Sequence, residues 1–537
     1  MCETRSKFEV LGPVTKDGSD VVSEPGLWNI ARDEPDRIAI VDPAERQVSY
    51  GELAAAADRY ARGLRSIGLR QGDVLVVMLP NGADLLATYF AALQTGLYVV
   101  LVNWHLVGAE VAYLITDSEA KAFVAGERFA EAATVAATEA GLAGEACFAV
   151  GEIPGFRPLA ELGADQPAGR PEQRSQGSPM LYTSGTTGRP KGVRRPLTGA
   201  DPDTVPAAST WFFGIFGIAP FADHVHLCGS PLYHTAVLNF ATISIQLGHT
   251  AVLMDGWDAA EMLRLIERYR VTHSHMVPTQ FHRLLALPER VRATYDVSSL
   301  RAMVHGAAPC PLETKRQMLD WWGPVVIEYY AATEGGGTAI NGRDWPDKPG
   351  SVGLPWPGSE VRVLDEDGQE LPAGEVGTVY MRMAGSTFEY HRDPDKTQSS
   401  RIGELFTLGD MGYLDEDGYL FLRDRRNDMI ISGGVNIYPA EIEAALVVHP
   451  KVADVAVFGI PHPDWGEEVK AVVQPMVGVV PDSELSGELI EFARGRLAKF
   501  KLPRSIDYTT ELPRDPNGKL YKRRLRDPYW AGQERAI

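Results

Sequence analysis

The sequence predicts an α/β protein: a large N-terminal domain of parallel, helix-covered sheets carrying a small β-barrel-like subdomain, then a small α+β C-terminal domain. Three observations predict it. From about Leu27 to Asp255, helical runs alternate with short apolar, β-branched runs, as in sheets buried on both faces by helices. Between about Ser351 and Leu422 the strand-like runs are short and separated by Asp-Gly and Gly turns, which suits hairpins. Beyond the charged pentad Asp424-Arg425-Arg426-Asn427-Asp428 a compact mixed run resumes, so the pentad reads as a hinge. A chain of 537 residues also exceeds what a single core organises.

The first 22 residues read as a loose arm. The expected domains are therefore 1–22, 23–424 with its β-rich part at about 351–422, and 425–537 with the hinge at about 425–428. Within the large domain, "YGELAAAADRYARGLRSIGL" reads as a helix, "DVLVVMLP" as a buried strand, "GADLLATYFAALQ" as a helix and "LYVVLV" as a strand. The uncharged window Leu85 to Trp104 has the length of one bilayer span, but Gln94-Thr95-Gly96 divides it into helix and strand, so no membrane span is expected. Later come the helical "AEMLRLIERYRV", the strand-like "THSHMVP" and "LRAMVHGAA". The pentapeptide "LDEDG", at 364–368 and 414–418, lacks the acidic spacing of a calcium loop and reads as a hairpin turn. In the C-terminal domain "DMIISGG", "VADVAVFGI" and "EVKAVVQPMV" read as strands, and "PAEIEAALVVH" and "ELIEFARGRLAKF" as helices.

Bulk composition excludes several functions. With 71 acidic against 52 basic residues the net charge is −19, so nucleic acid is not an expected partner. Cys2, Cys147, Cys228 and Cys310 are too few and scattered for a disulfide framework, which favours a reduced, cytoplasmic setting. "MCETRSKFEV" has no apolar stretch and does not read as a signal peptide. A zinc site from His224, His226, Cys228 and His234 is conceivable, but the chemistry below needs none.

The chemistry begins at "LYTSGTTGRPKGV". Its small residues let several backbone N–H groups converge on an anion, and Thr183, Ser184, Thr186 and Thr187 add donors around Gly185. Lys191 supplies a cation, although the spacing is not that of the Walker loop. In "EYYAATEGGG", Tyr330 offers a stacking face, and Thr333 with Glu334 a hydroxyl and carboxylate suited to Mg²⁺. Asp410 in "FTLGDMG" suits a pair of ribose hydroxyls, Arg425 is a fork donor, and Lys519 stands in the turn-rich "PRDPNGKLYKRR". Singly, each has a plain structural explanation: a core tyrosine, a turn aspartate, a solvated arginine, a tail lysine.

In this order, with "PLYH", "HGAAP" and "SGGVNIYPAEIE", they resemble the adenylate-forming superfamily of acyl-CoA synthetases, insect luciferases and peptide-synthetase adenylation domains. The resemblance covers essentially everything after the arm. It implies that Thr183 to Thr187, with Lys191, cover the β- and γ-phosphates of ATP, and that Gly306, Ala307 and Ala308 wall the adenine on which Tyr330 stacks, next to Ala332. Thr333 would touch the α-phosphate, Glu334 with Thr183 would hold Mg²⁺, and Asp410 and Arg425 would hold the ribose. Lys519 would bridge the acyl carboxylate and the α-phosphate, offsetting repulsion between two anions.

The same resemblance points to CoA as acceptor. Gly433 and Gly434 match the segment that approaches a second ligand, Lys499, Phe500 and Lys501 the patch that meets the nucleotide end of CoA, and His234 the gate of the pantetheine channel. Lys519 and Gly434 lie behind one hinge but serve different steps, which implies a mobile C-terminal domain. Two departures stand out: Asn427 where relatives have Asp or Lys, and Ala331 where many have glycine. The acid is expected to be bulky and apolar (fatty, branched, polycyclic or sterol-derived), because Gly335 to Gly337 would leave space and "WFFGIFG" would line it. Rival readings pass the acyl group to an amine or a carrier-protein thiol, or keep the fold as a non-catalytic nucleotide sensor. The expected partner is a small carboxylic acid, in a chain for which a homodimer is allowed.

Overall fold

The computed structural model describes residues 24–167, 169–183, 190–425, 428–432, 435–514 and 520–531, with the Thr183 side chain left aside. The chain divides into two compact units. The first comprises the chain up to His275 with Glu289–Met303 and Gly385–Ser399; the second comprises Met276–Pro288, Val304–Ala384 and the chain from Ser400.

The first unit is built on parallel sheets, as the alternating pattern predicts. One sheet runs in the order Arg157–Pro158, Cys147–Val150, Ala122–Gly126, Val74–Met78, Tyr98–Leu101, Ser178–Pro179, parallel throughout. Every residue of Val74–Met78 and Tyr98–Leu101 is buried, which is why these strands read as continuous apolar runs rather than alternating ones. A second row of strands, His273–Met276, Val225–Cys228, Thr250–Leu253 and Ile38–Val41, is also parallel and ends on the antiparallel edge Gln47–Ser49. The window that resembled a membrane span divides as expected, into the helix Ala83–Gln94, buried from Leu85 onward, and the strand Tyr98–Leu101. Among the described residues no helix is long and apolar enough to cross a membrane.

Local signals set the helix starts. Ser49 accepts from the Glu52 backbone N–H at 3.2 Å while Glu52 accepts from the Ser49 N–H at 2.8 Å, a reciprocal cap on the helix Tyr50–Ser66. Asp258 caps Ala259–Tyr269 in the same position. Each such cap contributes about 1 kcal/mol.

The second unit contains the antiparallel trio Val326–Ala331, Gly337–Ile340, Leu354–Pro355 and a six-stranded antiparallel sheet that includes Ser359–Leu364, Gly377–Met383, Asp410–Leu414 and Leu420–Arg425. Both "LDEDG" segments form turns. Asp415 accepts from the backbone of Asp417 and Tyr419, and Lys348 pairs with both aspartates at 2.7 and 2.5 Å. The C-terminal residues add the long antiparallel pair Val452–His462 and Gly466–Pro475, covered by the helices Pro439–Val447 and Ser483–Arg494. The second helix departs from expectation at both ends. Asp482, accepting from Leu485 N–H at 2.8 Å, starts it five residues before Glu488, and it stops at Arg494, before Gly495, a poor helix former. Lys499–Lys501 form a separate 3₁₀ turn.

Candidate active site

In the first unit the strands Leu181–Thr183 and Lys191–Arg194 pair antiparallel, with Thr183 opposite Lys191. This hairpin flanks Ser184, Gly185, Thr186 and Thr187, which lie outside the described residues. Tyr182 donates to Asp117 at 2.7 Å and Tyr113 to the Pro190 carbonyl at 3.1 Å, fixing both stems. Lys191 Nζ lies 2.9 Å from Asp393 Oδ2; the contact raises the lysine pKa and lowers that of the carboxyl. His234 precedes the helix Thr235–Gln246, half-buried, with its ring 4.3 Å from that of Tyr233.

The second unit assembles the candidate nucleotide residues. Antiparallel register sets Asp410 opposite Arg425, and Arg425 Nε comes within 3.4 Å of Asp410 Oδ1. Tyr330, near the end of Val326–Ala331, donates its hydroxyl to the other oxygen, Oδ2, at 2.6 Å. Burial, and then the Asp410 charge, hold the Tyr330 phenol well above its usual range, so it stays a neutral donor. The loop Gly306-Ala307-Ala308-Pro309 runs close by. A Cβ on Gly306 would stand 2.8 Å from the Tyr329 carbonyl oxygen, so only glycine allows that approach. Ala307 has φ +67°, a left-handed conformation uncommon for alanine. Ala332 and Thr333 occupy the turn after the strand, where the Gly335 N–H donates to the Ala332 carbonyl at 3.1 Å. Glu334 follows, buried, its charge felt at Tyr330. Ala331 pairs with Gly337 at the strand end.

A second concavity lies among the C-terminal residues. Ser432, Ile437, Trp465, Glu468, Val469, Phe500 and Arg504 line a cavity of about 150 Å³. Phe500 is 49% and Trp465 40% exposed, and Arg504 lies 4.7 Å above the Trp465 ring, which also stacks on His462 at 4.3 Å. Of the flanking lysines, Lys499 is exposed, whereas Lys501 pairs with Glu441 at 2.6 Å. Gly433, Gly434, Asn427 and Lys519 lie outside the described residues.

The AMP-binding enzyme family matches residues 27–391, and the C-terminal domain of AMP-binding enzymes matches residues 441–519. The chain belongs to this family. It is thus an adenylate-forming enzyme related to acyl-CoA and amide synthetases. A long-chain-fatty-acid–CoA ligase of Mycobacterium tuberculosis is 32% identical over 500 residues, 92% of this chain and 95% of that one. A feruloyl-CoA synthase of an Amycolatopsis species is 34% identical over 510 residues, 93% and 98% of the two chains. Among solved structures, the amide bond synthetase McbA from Marinactinospora thermotolerans aligns with a TM-score of 0.79 at 27% identity, covering 94% of this chain and 99% of its own.

Within this family member several residues have surroundings the sequence did not suggest. Two of the glycines after Glu334 leave no open space: a Cβ on Gly337 would sit 2.5 Å from the Trp356 ring and 2.4 Å from the Tyr330 carbonyl, and one on Gly336 3.2 Å from the Arg382 carbonyl. They serve close packing. In "WFFGIFG", Phe213 and Phe216 are core residues packed on Phe240, while Trp211 keeps 36% exposure. His224, His226 and Cys228 form no metal cluster among the described residues; both histidines pack against other aromatic rings. Trp465 and Arg504, which line the C-terminal cavity, do not stand out in the sequence. The available signal was a tryptophan inside a polar turn, "HPDWGEE", where nothing apolar precedes or follows it.

Proposed function

We propose that the chain is an ATP-dependent carboxylic acid:CoA ligase that forms an acyl-AMP and then a thioester, acting on a bulky apolar acid, a choice supported by its similarity to a long-chain-fatty-acid–CoA ligase and a feruloyl-CoA synthase. The choice of a CoA thiol over an amine rests on one observation, the cavity in which Ser432, next to Gly433-Gly434, meets Phe500, Trp465 and Arg504. An exposed aromatic pair with a guanidinium beside it suits a purine and its phosphate.

In the first half-reaction a carboxylate oxygen of the acid attacks the α-phosphorus of ATP, and the bond to pyrophosphate breaks. No protein nucleophile is required; positioning and charge supply the rate. Tyr330 stacks on the adenine against Gly306, Ala307 and Ala308, while Asp410, already held from both sides, accepts from the ribose hydroxyls and Arg425 donates to them. That carboxylate is preorganised: its two oxygens are spoken for by Tyr330 and Arg425, so its acceptor lone pairs point in fixed directions. Thr183 to Thr187 and Lys191 hold the outer phosphates, and Thr333 the inner one. Glu334, a buried carboxylate, is suited to Mg²⁺, and the resemblance adds Thr183 as its fellow ligand; the ion would neutralise phosphate charge. Lys519 offsets the repulsion between the two reacting anions. In the second half-reaction the CoA sulfur attacks the acyl carbonyl and AMP departs with the bonding pair, after the C-terminal domain turns about 425–428 and His234 opens the thiol channel. The three described cysteines are unpaired, which fits a reduced, cytoplasmic setting.

The similarity to an amide bond synthetase keeps a second acceptor in view, an amine. Pyrophosphate release from a panel of acids, without and then with CoA, separates the readings. Acid-dependent release with thioester formation supports the ligase; release with amide but no thioester favours the amine. Lys519→Ala should abolish acyl-AMP formation yet still convert supplied acyl-AMP to thioester. Full-speed adenylation by that variant rules the mechanism out, and acetate as the best substrate rules out the bulky-acid assignment.

A further inference from the structure

The loop Gly306–Pro309 is bracketed by buried polar side chains that the mechanism above does not use. His305, fully buried, ends the strand Ala302–His305 just before it, and Lys315, equally buried, stands in the first turn of the helix Leu312–Trp322 just after it. Lys315 Nζ donates to Glu328 Oε2 at 2.5 Å and lies 4.8 Å from the Trp345 ring centroid. His305 Nε2 is 3.9 Å from the same Glu328 oxygen. Glu328 precedes Tyr330 by two residues on Val326–Ala331, so their side chains leave the strand on one face. A single buried carboxylate therefore ties the helix that follows the Gly306 loop to the strand that carries Tyr330, with His305, just before the loop, close by.

Stability does not account for this arrangement. A buried ion pair is generally no more stabilising than apolar side chains of the same volume. What a charged, directional contact adds is registry, and the loop needs it. Ala307 holds a left-handed backbone, which persists only where surrounding structure over-determines it. Gly306 lies too close to Tyr329 for any side chain, so a small slip of loop against strand would either clash or open a gap.

We propose that Lys315 and Glu328 are positioning residues for nucleotide binding: their buried ion pair holds the Gly306–Pro309 loop in register with Tyr330, a role that rests on the nucleotide reading given above. The test measures KM for ATP, KM for the acid and thermal midpoint in Lys315→Met, Lys315→Arg, Glu328→Gln and the double variant Lys315→Met/Glu328→Met. Loss of registry should raise KM for ATP about tenfold, equivalent to ~1.4 kcal/mol, with KM for the acid unchanged. Lys315→Arg should recover part of the loss. The double variant should regain the thermal midpoint lost by Lys315→Met without regaining the ATP KM. Because it leaves no unpaired charge, it carries the test even where Lys315→Met does not fold. A double variant with the wild-type KM for ATP overturns the proposal, as does an equal rise in both KM values. Absence of ATP saturation in the wild type overturns the nucleotide reading itself, a separate result.

Discussion

Two buried polar clusters, one in each unit, answer the cost of burial in opposite ways. In the first unit His224, His226, His249, His273 and His275 converge around Phe213 and Phe240, with ring centroids 4.9 Å apart for His226 and His273 and 5.0 Å for His224 and His249. Burial keeps all five uncharged: it brings His224 down to about 4, His226, His249 and His275 to about 3, and His273 well below its usual value. As neutral rings they pack as aromatics, and some hydrogen bond as well: His273 Nε2 with Ser244 Oγ at 2.8 Å and Nδ1 with Thr272 Oγ1 at 3.1 Å, and His249 Nε2 to the Ala219 carbonyl at 2.9 Å. In the second unit Lys315 meets Glu328 as an ion pair. The difference teaches where each is vulnerable. Protons attack the histidine cluster, whereas loss of a partner attacks the pair.

The largest effect expected from that contrast is on the pair. Lys315→Met strands Glu328 in the core and should cost about 3–5 kcal/mol of unfolding free energy, most of it returned when Glu328 is also made apolar. Urea unfolding of the single and double variants measures this; a single-variant loss below about 1 kcal/mol would make the buried pair no different from a surface one.

The histidine cluster should respond to acid instead. Each depressed imidazole binds its proton more readily in the unfolded chain, so its contribution is complete above the unfolded value near 6.5 and is lost as pH falls toward 4 and 3. At pH 5 the loss amounts to roughly 2 kcal/mol for each such histidine. Unfolding free energies at pH 7.5 and 5 should therefore diverge more for the wild type than for His226→Phe, by about that amount. At pH 7.5 the variant should lie within about 1.5 kcal/mol of the wild type. An unchanged acid slope in His226→Phe would show that the buried ring takes up its proton in the folded chain as readily as in the unfolded one.

The same contrast separates what was legible in the sequence from what was not. Strands such as Val74–Met78 could be read directly because burial on both faces writes itself as an uninterrupted apolar run. The Tyr330, Asp410 and Arg425 set was legible as residue types in order, but its geometry depends on Asp410 pairing with Arg425 across a hairpin and with Tyr330 eighty residues away. Lys315 and Glu328 were invisible. A lysine in a helix reads as a solvated charge until tertiary packing buries it, and no spacing rule links it to a carboxylate on another element. Gly336 and Gly337 misled for a related reason: absence of a side chain reads as space, yet the Arg382 backbone and Trp356 occupy it. The histidines of "HVHLC" gave only residue types suggestive of metal, since sequence does not reveal that their rings meet those of His249 and His273 in an apolar interior.

The smallest structural effect belongs to a third pair, Lys191 with Asp393, whose side chains are 34% and 23% exposed. Water screens this contact, so Lys191→Ala should change unfolding free energy by at most about 1 kcal/mol, in contrast to Lys315→Met. Its effect on catalysis should be larger than on folding, because the proposed role is to meet outer phosphates of ATP. A charge-assisted hydrogen bond of roughly 1.5–3 kcal/mol corresponds to about a tenfold to hundredfold loss in kcat/KM for ATP. Asp393→Asn removes the competitor without removing the cation; it should leave kcat/KM for ATP unchanged or raised, as Lys191 no longer has to exchange a carboxylate for a phosphate. If Asp393→Asn instead impaired ATP use as severely as Lys191→Ala, the pair would act as a structural clasp on the strands that flank 184–190, and the lysine would owe its place to Asp393 rather than to the nucleotide.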